Sequence, residues 1–363
     1  MAVELAKEHP TVTPKELFHL LNVAIAGHEP CCLVGPPGCG KSDLMSQVCK
    51  YLGADLVTFH PVVDSPTDYK GLGGFYTTLE GEKKARWFPY GNLELLTRAE
   101  KLTIAFFDDA GQAPAANQAA IMQLVLTGKI GDFQASEKVV FMLATNGREH
   151  NAGVSTFLRP LKGRTSIFHM GISQPEWCEW AAGNGVFPEV LSYIRFKPEM
   201  LDPSLFVDTD KRKKLMDKAN AKDMANMFNP RNVVRAGFWA ANGLRTIPAF
   251  ASRCGDFWAT DFLTFLRYFD DLPSIDGILA DPEKAIVPER KDVLYAVATA
   301  VAARTTKENA GRVLQYAGRL PGKDGKYGEF GVLLVRDALR RCPEMANTKA
   351  FVNWARDNQD LVV

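Results

Sequence analysis

One eight-residue segment limits the possible folds of this chain more than any other feature of the sequence. Residues 35–42 read Gly-Pro-Pro-Gly-Cys-Gly-Lys-Ser and fit the phosphate-loop pattern G-x-x-x-x-G-K-[ST] in full. A short apolar strand is predicted before the loop, over Cys31–Val34, and a helix after it, over Ser42–Leu52. Glycines allow backbone N–H groups to turn toward phosphate oxygens, and a helix N-terminus adds partial positive charge. The segment therefore predicts a nucleotide-binding site on a strand–loop–helix unit.

The side chains of this loop have distinct expected roles. We expect Lys41 to reach the β- and γ-phosphates of ATP, and the Ser42 hydroxyl to take a position on a magnesium ion. The residues expected to bind the nucleotide are Gly35, Pro36, Pro37, Gly38, Cys39, Gly40, Lys41, Ser42 and Asp43. The alternative is a glycine-rich turn with a chance lysine, which the strand and helix on either side disfavour.

A second apolar strand ends in two acids. Ile104–Phe107 is followed directly by Asp108 and Asp109. We expect Asp108 to hold magnesium through a water molecule and Asp109 to polarise the water that attacks the phosphate. The alternative is a solvated strand end, which the phosphate loop upstream disfavours. The loop and the acidic strand end together predict ATP and magnesium as cofactors.

The chain of 363 residues is long enough for two compact units. Up to about residue 172, predicted helices and strands alternate. Apolar runs such as Leu102–Phe107 favour strands buried on both faces of a parallel sheet. Beyond that point nearly all apolar spacing is helical, including a helix predicted over Ala219–Met227. We expect a nucleotide-binding core over 1–172 and a helical region over 173–363.

Charge and cysteine content narrow the class of protein further. The chain has 43 basic and 42 acidic residues, a net charge of +1, which does not favour nucleic-acid or membrane partners. The run Lys211–Lys214 is flanked by aspartates and is interpreted as a solvated helix face. Seven cysteines without a Cys-x-x-Cys pair indicate reduced thiols. With no signal peptide or membrane-spanning segment predicted, we expect a cytoplasmic protein.

Later segments of the chain resemble the AAA+ ATPases. Phe141–Asn146 is an apolar strand with a polar end, similar to the sensor-one strand of that superfamily. Leu158–Arg164 precedes the last predicted strand, where the superfamily carries its arginine finger, and Asn229–Arg231 resembles the sensor-two motif of the lid. The resemblance implies an α/β fold: a parallel αβα sheet in strand order 5-1-4-3-2, followed by an extended all-helical lid.

The same resemblance implies catalytic roles for single residues. Asn146 would contact the γ-phosphate and position water, the alternative being an amide that caps the next turn. Arg164 would reach the γ-phosphate bound to a neighbouring subunit. Arg159 is the alternative finger, and either arginine could instead pair with a surface acid. Arg231 would act from the lid, or else face solvent at a helix start, where a cation is electrostatically unfavourable.

More narrowly, the chain resembles the MoxR branch of AAA+ proteins over about residues 14–240. The segments that carry this resemblance are Asp64–Leu72, Asp108–Pro114, Asn117–Ala119, Gln123–Val125 and Trp177–Ala181. It implies a chaperone-like remodelling or assembly motor acting as a homo-oligomeric ring, expected to be a hexamer, with a von Willebrand factor A domain protein as partner. Lys129–Phe133 would be a hairpin tip at the ring pore, or a plain surface turn.

The acidic strand end departs from the pattern of that branch. The family has glutamate where Asp109 stands, and an Asn-Arg pair where this chain has Gly111-Gln112. A carboxylate one methylene shorter would sit about 1 Å from its required place, which can cost about 10²-fold in rate. Restoring glutamate should then speed hydrolysis. The departure favours one alternative to an active motor, a nucleotide-gated scaffold with little ATP turnover. A second alternative is a DNA-associated AAA+ motor, which the net charge and the lack of a basic aromatic groove disfavour.

Overall fold

The computed structural model describes residues 10–147, 163–221, 226–270, 272–321 and 328–358. The chain divides into two compact units, Met1–Gly171 and Ile172–Val363, so the change falls one residue before the end of the predicted core. We call them unit 1 and unit 2 and describe each by itself. Within the described residues, no helix has both the length and the apolar character that crossing a membrane requires.

The described part of unit 1 contains ten strands that fall into one sheet and two hairpins. In chain order they are β1 (Thr11–Val12), β2 (Cys31–Val34), β3 (Asp55–Phe59), β4 (Leu72–Thr77), β5 (Lys83–Phe88), β6 (Thr103–Phe107), β7 (Lys129–Ile130), β8 (Phe133–Gln134), β9 (Val139–Thr145) and β10 (Ser166–Met170). The sheet has the order β1-β10-β2-β9-β6-β3, and every neighbouring pair is parallel.

The inner strands of this sheet are apolar because both of its faces are covered. Every residue of β6 and of β9 is buried, which is the pattern that their unbroken apolar runs predict. The strands β10-β2-β9-β6-β3 reproduce the predicted order 5-1-4-3-2, so that prediction is confirmed. The edge strand β1, which pairs with β10, was not predicted, since two residues carry no periodic signal.

Five helices accompany the sheet among the residues of unit 1 that the structure describes. They are α1 (Pro14–Ala26), α2 (Lys41–Leu52), α3 (Thr67–Lys70), α4 (Asn92–Thr97) and α5 (Ala115–Thr127). A capping box fixes the start of α1: the Thr13 hydroxyl accepts from the Glu16 backbone N–H at 3.3 Å, and the Glu16 carboxylate accepts from the Thr13 N–H at 2.8 Å. The helix buries Leu17, Leu21 and Ile25 along one stripe.

The two hairpins are antiparallel. β4 pairs with β5 and β7 pairs with β8, and the latter places a tight turn at Gly131 and Asp132. The backbone N–H of Trp87 on β5 donates to the Asp132 carboxylate at 2.8 Å, which ties the two hairpins together. The predicted hairpin at Lys129–Phe133 is therefore present, and a location at a ring pore stays a prediction.

Unit 2 is helical throughout its described part. Its helices are α6 (Gln174–Gly183), α7 (Pro188–Phe196), α8 (Thr209–Ala221), α9 (Pro230–Ala241), α10 (Ile247–Asp270), α11 (Ile275–Ala280), α12 (Lys291–Ala303), α13 (Ala310–Arg319), α14 (Glu329–Arg341) and α15 (Lys349–Asp357). They enclose two apolar cores, one around Tyr193, Trp258 and Phe262, the other around Val297, Tyr316 and Leu334. The all-helical prediction for this region is confirmed.

The helix predicted over Ala219–Met227 agrees with the structure only at residues 219–221, where α8 ends. Residues 222–225 lie outside the described residues, and residues 226–229 are irregular. Asn229 caps α9, with its carboxamide oxygen 3.0 Å from the Asn232 N–H, and a capping residue takes an extended backbone. The prediction is therefore wrong at Asn226 and Met227, which lead into the capped start of α9. The cations Lys211–Lys214 are exposed on α8, as interpreted from the sequence.

Candidate nucleotide-binding site

The phosphate loop joins β2 to α2 with the backbone geometry that its glycines allow. Gly40, the residue before α2, has φ of 100°, which is a left-handed conformation that other residues rarely adopt. At Gly35 a Cβ atom would lie 3.1 Å from both the Cys39 sulfur and the Met170 carbonyl oxygen, so the close packing of the loop on β10 favours glycine there. The loop thus presents backbone N–H groups at the N-terminus of α2, which suits an anion.

Lys41 is buried at this loop, and no acid among the described residues pairs with it. Its side chain belongs to a residue only 6% exposed, and Nζ donates to the carbonyl oxygens of Gly35 at 3.0 Å and Pro36 at 3.1 Å. The third bond, at 2.8 Å, goes to Oδ1 of Asn146 at the end of β9. All three acceptors are neutral, and no carboxylate of the described residues forms an ion pair with Lys41. The ammonium is therefore held ready for an anion from outside the chain.

The two residues predicted to hold magnesium are in direct contact. The Ser42 hydroxyl on α2 donates to Oδ2 of Asp108 at 2.7 Å, across the ends of β2 and β6. A hydroxyl and a carboxylate at this distance are hard oxygen donors, the kind that Mg²⁺ prefers. The residues present therefore fit a magnesium ion beside the phosphate loop.

Asp109 has an unusual backbone and a defined set of hydrogen bonds. It is one of two described non-glycine residues with positive φ, at 55°, and it begins a single 3-10 turn over Ala110–Gln112. Oδ1 accepts from Nε2 of Gln112 at 3.2 Å and from Nδ2 of Asn146 at 3.3 Å. Asn146 thus bridges Lys41 and Asp109 with its two carboxamide atoms. The structure brings the predicted loop lysine, sensor residue and acid into one connected group.

The structure does not test the roles predicted for the arginines. Arg164 is exposed, two residues before β10, and Arg159 falls outside the described residues. Arg231 is the second residue of α9 in unit 2 and is also exposed. Asp43, on the first turn of α2, is exposed as well. The functions assigned to these residues from the sequence stay predictions.

Part of the motif that resembles the MoxR branch has a structural role in the loop after β3. The Tyr69 hydroxyl donates to Asp64 at 2.7 Å, and burial, together with that carboxylate, raises the pKa of Tyr69 far above its usual range. The Asn117 carboxamide on α5 donates to the carbonyl oxygens of Pro61 at 2.9 Å and Asp64 at 2.8 Å. These bonds fix the loop beside the strand that carries Asp108.

All seven cysteines are buried free thiols, as the sequence predicts. Burial raises the pKa of the Cys31 thiol to about 12, with a smaller effect from the charge of Glu29, and raises that of Cys49 to about 11. These two thiols therefore stay protonated at neutral pH and act as small apolar side chains.

Sequence reasoning missed two residues of this group. Thr145, buried at the end of β9, has its hydroxyl 3.2 Å from the carbonyl oxygen of the Gln112 side chain. Gln112 was noted only as a departure from the family pattern. That departure was the available signal, because a neutral amide can accept and donate at once, whereas an arginine can only donate.

Comparisons with known proteins give one family match and several similar solved structures. The family model "ATPase family associated with various cellular activities (AAA)" matches residues 31–164. Solved structures of RuvB from Thermotoga maritima are similar over 79% of this chain and 80% of theirs. Two are point mutants, each 16% identical, with TM-scores of 0.38 and 0.37, and one is described as a Holliday junction branch migration motor, 17% identical, with a TM-score of 0.36. A comparison with curated protein sequences finds no match. The family match, the strand order and the phosphate loop together indicate a P-loop fold of AAA+ type, with residues 31–164 similar to the AAA ATPase family.

Proposed function

We propose that this protein is an ATP- and magnesium-dependent AAA+ ATPase of MoxR type, which acts in the cytoplasm as a ring-shaped, chaperone-like remodelling or assembly motor. The observation that carries the nucleotide part of this proposal is Lys41, a buried cation at a phosphate loop with three neutral partners. Burying an ammonium without a counter-charge costs free energy, and an anion that binds beside the ammonium offsets that cost.

The loop residues would bind the nucleotide by exchanging partners. Phosphate oxygens carry more charge than carbonyl oxygens and form stronger bonds to an ammonium, so Lys41 would give up neutral acceptors for the β- and γ-phosphates. Ser42 and Asp108 would hold magnesium, which when bound neutralises charge on the phosphates. The backbone N–H groups between Gly38 and Ser42 would surround the same oxygens.

Asp109 and Asn146 would act on the attacking water. The Asp109 carboxylate would accept a hydrogen bond from that water and orient its lone pair toward the γ-phosphorus. When Lys41 bonds to the phosphate in place of Asn146, Oδ1 of Asn146 would become available, while Nδ2 would still contact Asp109. This exchange supports a site that changes its internal hydrogen bonds when the γ-phosphate is present.

The ring part of the proposal rests on the resemblance and on the surface position of Arg164. We expect ATP to promote a hexamer in which Arg164 completes the site of a neighbour. Arg164→Ala should leave ATP binding nearly intact and remove turnover, and mixing it with Asp108→Asn should restore part of the activity. Light scattering with and without ATP, plus a coupled ATPase assay on the mixture, measures both. No recovery at any ratio would exclude Arg164 as a finger acting between subunits.

A second candidate function is a nucleotide-gated scaffold with little turnover. The observation that favours it is the short Asp109 side chain, already engaged by two amides. Steady-state turnover of wild type beside Asp109→Asn distinguishes the two functions. A motor requires the amide variant to be slower by about 10²-fold, while a scaffold gives equal, low rates. A von Willebrand factor A domain partner stays a proposal that a pull-down with the ATP-bound protein would test.

A DNA-associated motor is the weakest candidate. The exposed run Lys211–Lys214 on α8 is flanked by acids, including Asp210 and Asp217 on the same helix. We expect filter binding of single-stranded DNA to show no retention at 0.15 M ionic strength, a condition that screens weak surface charge.

A further inference from the structure

We propose that Gln112 is a positioning residue for the water-orienting acid, and that it transmits the position of Thr145 to the Asp109 carboxylate. The inference rests on the proposed ATP hydrolysis. Gln112 stands where the resembled family carries arginine, and the structure gives it bonds that an arginine could not make in the same way.

The local backbone brings the Gln112 side chain next to the Asp109 carboxylate. The 3-10 turn over Ala110–Gln112 is closed by a bond of 2.9 Å from the Gln112 N–H to the Asp109 carbonyl oxygen. Residues three apart lie over one another in such a turn. Nε2 of Gln112 consequently reaches Oδ1 of Asp109 at 3.2 Å.

Chemistry fixes which way the Gln112 amide points. An ionised carboxylate only accepts hydrogen bonds, so the NH₂ group must face Asp109 and the carbonyl oxygen must face away. That oxygen lies 3.2 Å from the Thr145 hydroxyl, which is a donor. The same hydroxyl lies 3.2 Å from the backbone carbonyl oxygen of Asn146, so the two acceptors share its hydrogen. Thr145 is 5% exposed and ends a fully buried strand, so it is a firm anchor.

The result is a carboxylate with one oxygen fixed and one available. Oδ1 of Asp109 receives amides from Gln112 and Asn146, while no described residue donates to Oδ2. Oδ2 is therefore the oxygen that can accept a hydrogen bond from water. The amides also reverse an expectation from the sequence: in Asp109→Glu the added methylene would displace the carboxylate from both donors, so this variant should hydrolyse ATP more slowly.

Gln112 makes no bond to the parts of the site that bind the nucleotide. Among the described residues its side chain bonds only to Asp109 and Thr145, and not to Lys41 or Ser42. A positioning role therefore predicts an effect on kcat with little effect on the KM for ATP. A role in nucleotide binding predicts the reverse.

The test compares variants of the full chain in a coupled ATPase assay. Gln112→Ala should lower kcat about 10- to 100-fold, the effect of losing one bond to a charged group, with KM within about twofold. Gln123→Ala, the same change at an exposed site on α5, should match wild type. Thr145→Val should lower kcat similarly, Thr145→Ser should recover most of that loss, and the Gln112→Ala/Thr145→Val double variant should be no slower than Gln112→Ala alone.

A second readout needs neither nucleotide nor turnover. The side-chain amide resonances of Gln112, assigned by their loss in Gln112→Ala, should move to the position of a solvated amide in Thr145→Val and stay near wild type in Thr145→Ser. The Thr145–Gln112 link would be overturned if the kcat losses of Gln112→Ala and Thr145→Val were additive in the double variant. It would also be overturned if the Gln112 amide resonances did not move in Thr145→Val. A wild-type rate in Gln112→Ala would refute Gln112 alone, whereas a wild type that binds Mg-ATP without turnover would refute the proposed hydrolase and this role with it.

Discussion

Two buried cations, Lys41 in unit 1 and Arg195 in unit 2, have opposite surroundings. They are 6% and 8% exposed. Arg195 on α7 forms two parallel bonds, of 2.6 and 2.8 Å, to the fully buried Asp337 carboxylate on α14, and a third, of 2.8 Å, to the Thr299 hydroxyl. Lys41 has three bonds of similar length, and every acceptor is neutral.

The difference separates a cation that supports the fold from one that serves a ligand. A buried charge costs several kcal/mol unless another charge and good hydrogen bonds compensate it. Asp337 compensates Arg195 inside the chain, at a place where three helices meet. For Lys41 the compensating charge would come from phosphate, so compensation of the buried charge would contribute to the free energy of nucleotide binding.

The largest effect is expected from breaking the pair in unit 2. Asp337→Ala leaves Arg195 buried without a counter-charge and should lower the free energy of unfolding by about 3–5 kcal/mol. Urea unfolding followed by circular dichroism measures this. Glu94→Ala is the matched control, because its partner Arg98 is on the surface, and it should cost no more than about 0.5 kcal/mol. Equal losses for the two variants would remove the distinction drawn between buried and exposed pairs.

A smaller effect is expected when the whole group is replaced. Arg195→Met, Asp337→Leu and Thr299→Val together remove both charges and the hydroxyl that bonds to them. Stability should stay within about 1.5 kcal/mol of wild type, since apolar groups of similar volume often replace a buried pair without loss. The same urea experiment decides. A loss near that of Asp337→Ala alone would mean that packing, not the uncompensated charge, explains the single variant.

The smallest effect on stability is expected at Lys41. In nucleotide-free protein, Lys41→Met removes a buried charge that has no carboxylate partner, so the free energy of unfolding should be unchanged within about 1 kcal/mol or should rise. Lys50→Met, at an exposed position of the same helix, is the control. A loss of several kcal/mol specific to Lys41→Met would show that this lysine supports the fold, as Arg195 does.

Much of unit 1 could be predicted because its signals are local. The phosphate-loop pattern fixes a strand, a turn and a helix together. The apolar runs Leu102–Phe107, interrupted only by Thr103, and Val139–Ala144 indicate strands covered on both faces. The contact between Ser42 and Asp108 follows from two parallel strands, β2 and β6, which lie on either side of β9 and end at one edge of the sheet. Strand order came from the family resemblance and not from the spacing of residues.

The parts that could not be predicted depend on backbone or on tertiary contacts. Nothing in the sequence shows that Asp109 adopts a left-handed conformation, and without it the bond to Gln112 and the reversed expectation for Asp109→Glu are invisible. The hairpin over Leu72–Phe88 has weak alternation, and its residues are mostly exposed. The helix predicted over Ala219–Met227 is wrong at residues 226–227, which are irregular and lead into the cap at Asn229.

Titration of Mg-ATP into three purified proteins tests the account of Lys41 most directly. Isothermal titration calorimetry should show one nucleotide bound per wild-type chain. Lys41→Met should bind at least about tenfold more weakly, because a charge-assisted bond to phosphate is worth roughly 1.5–3 kcal/mol, and Lys50→Met should match wild type. An affinity of Lys41→Met within about threefold of wild type, or no binding by wild type itself, would contradict the claim that this buried cation binds a phosphate of the nucleotide.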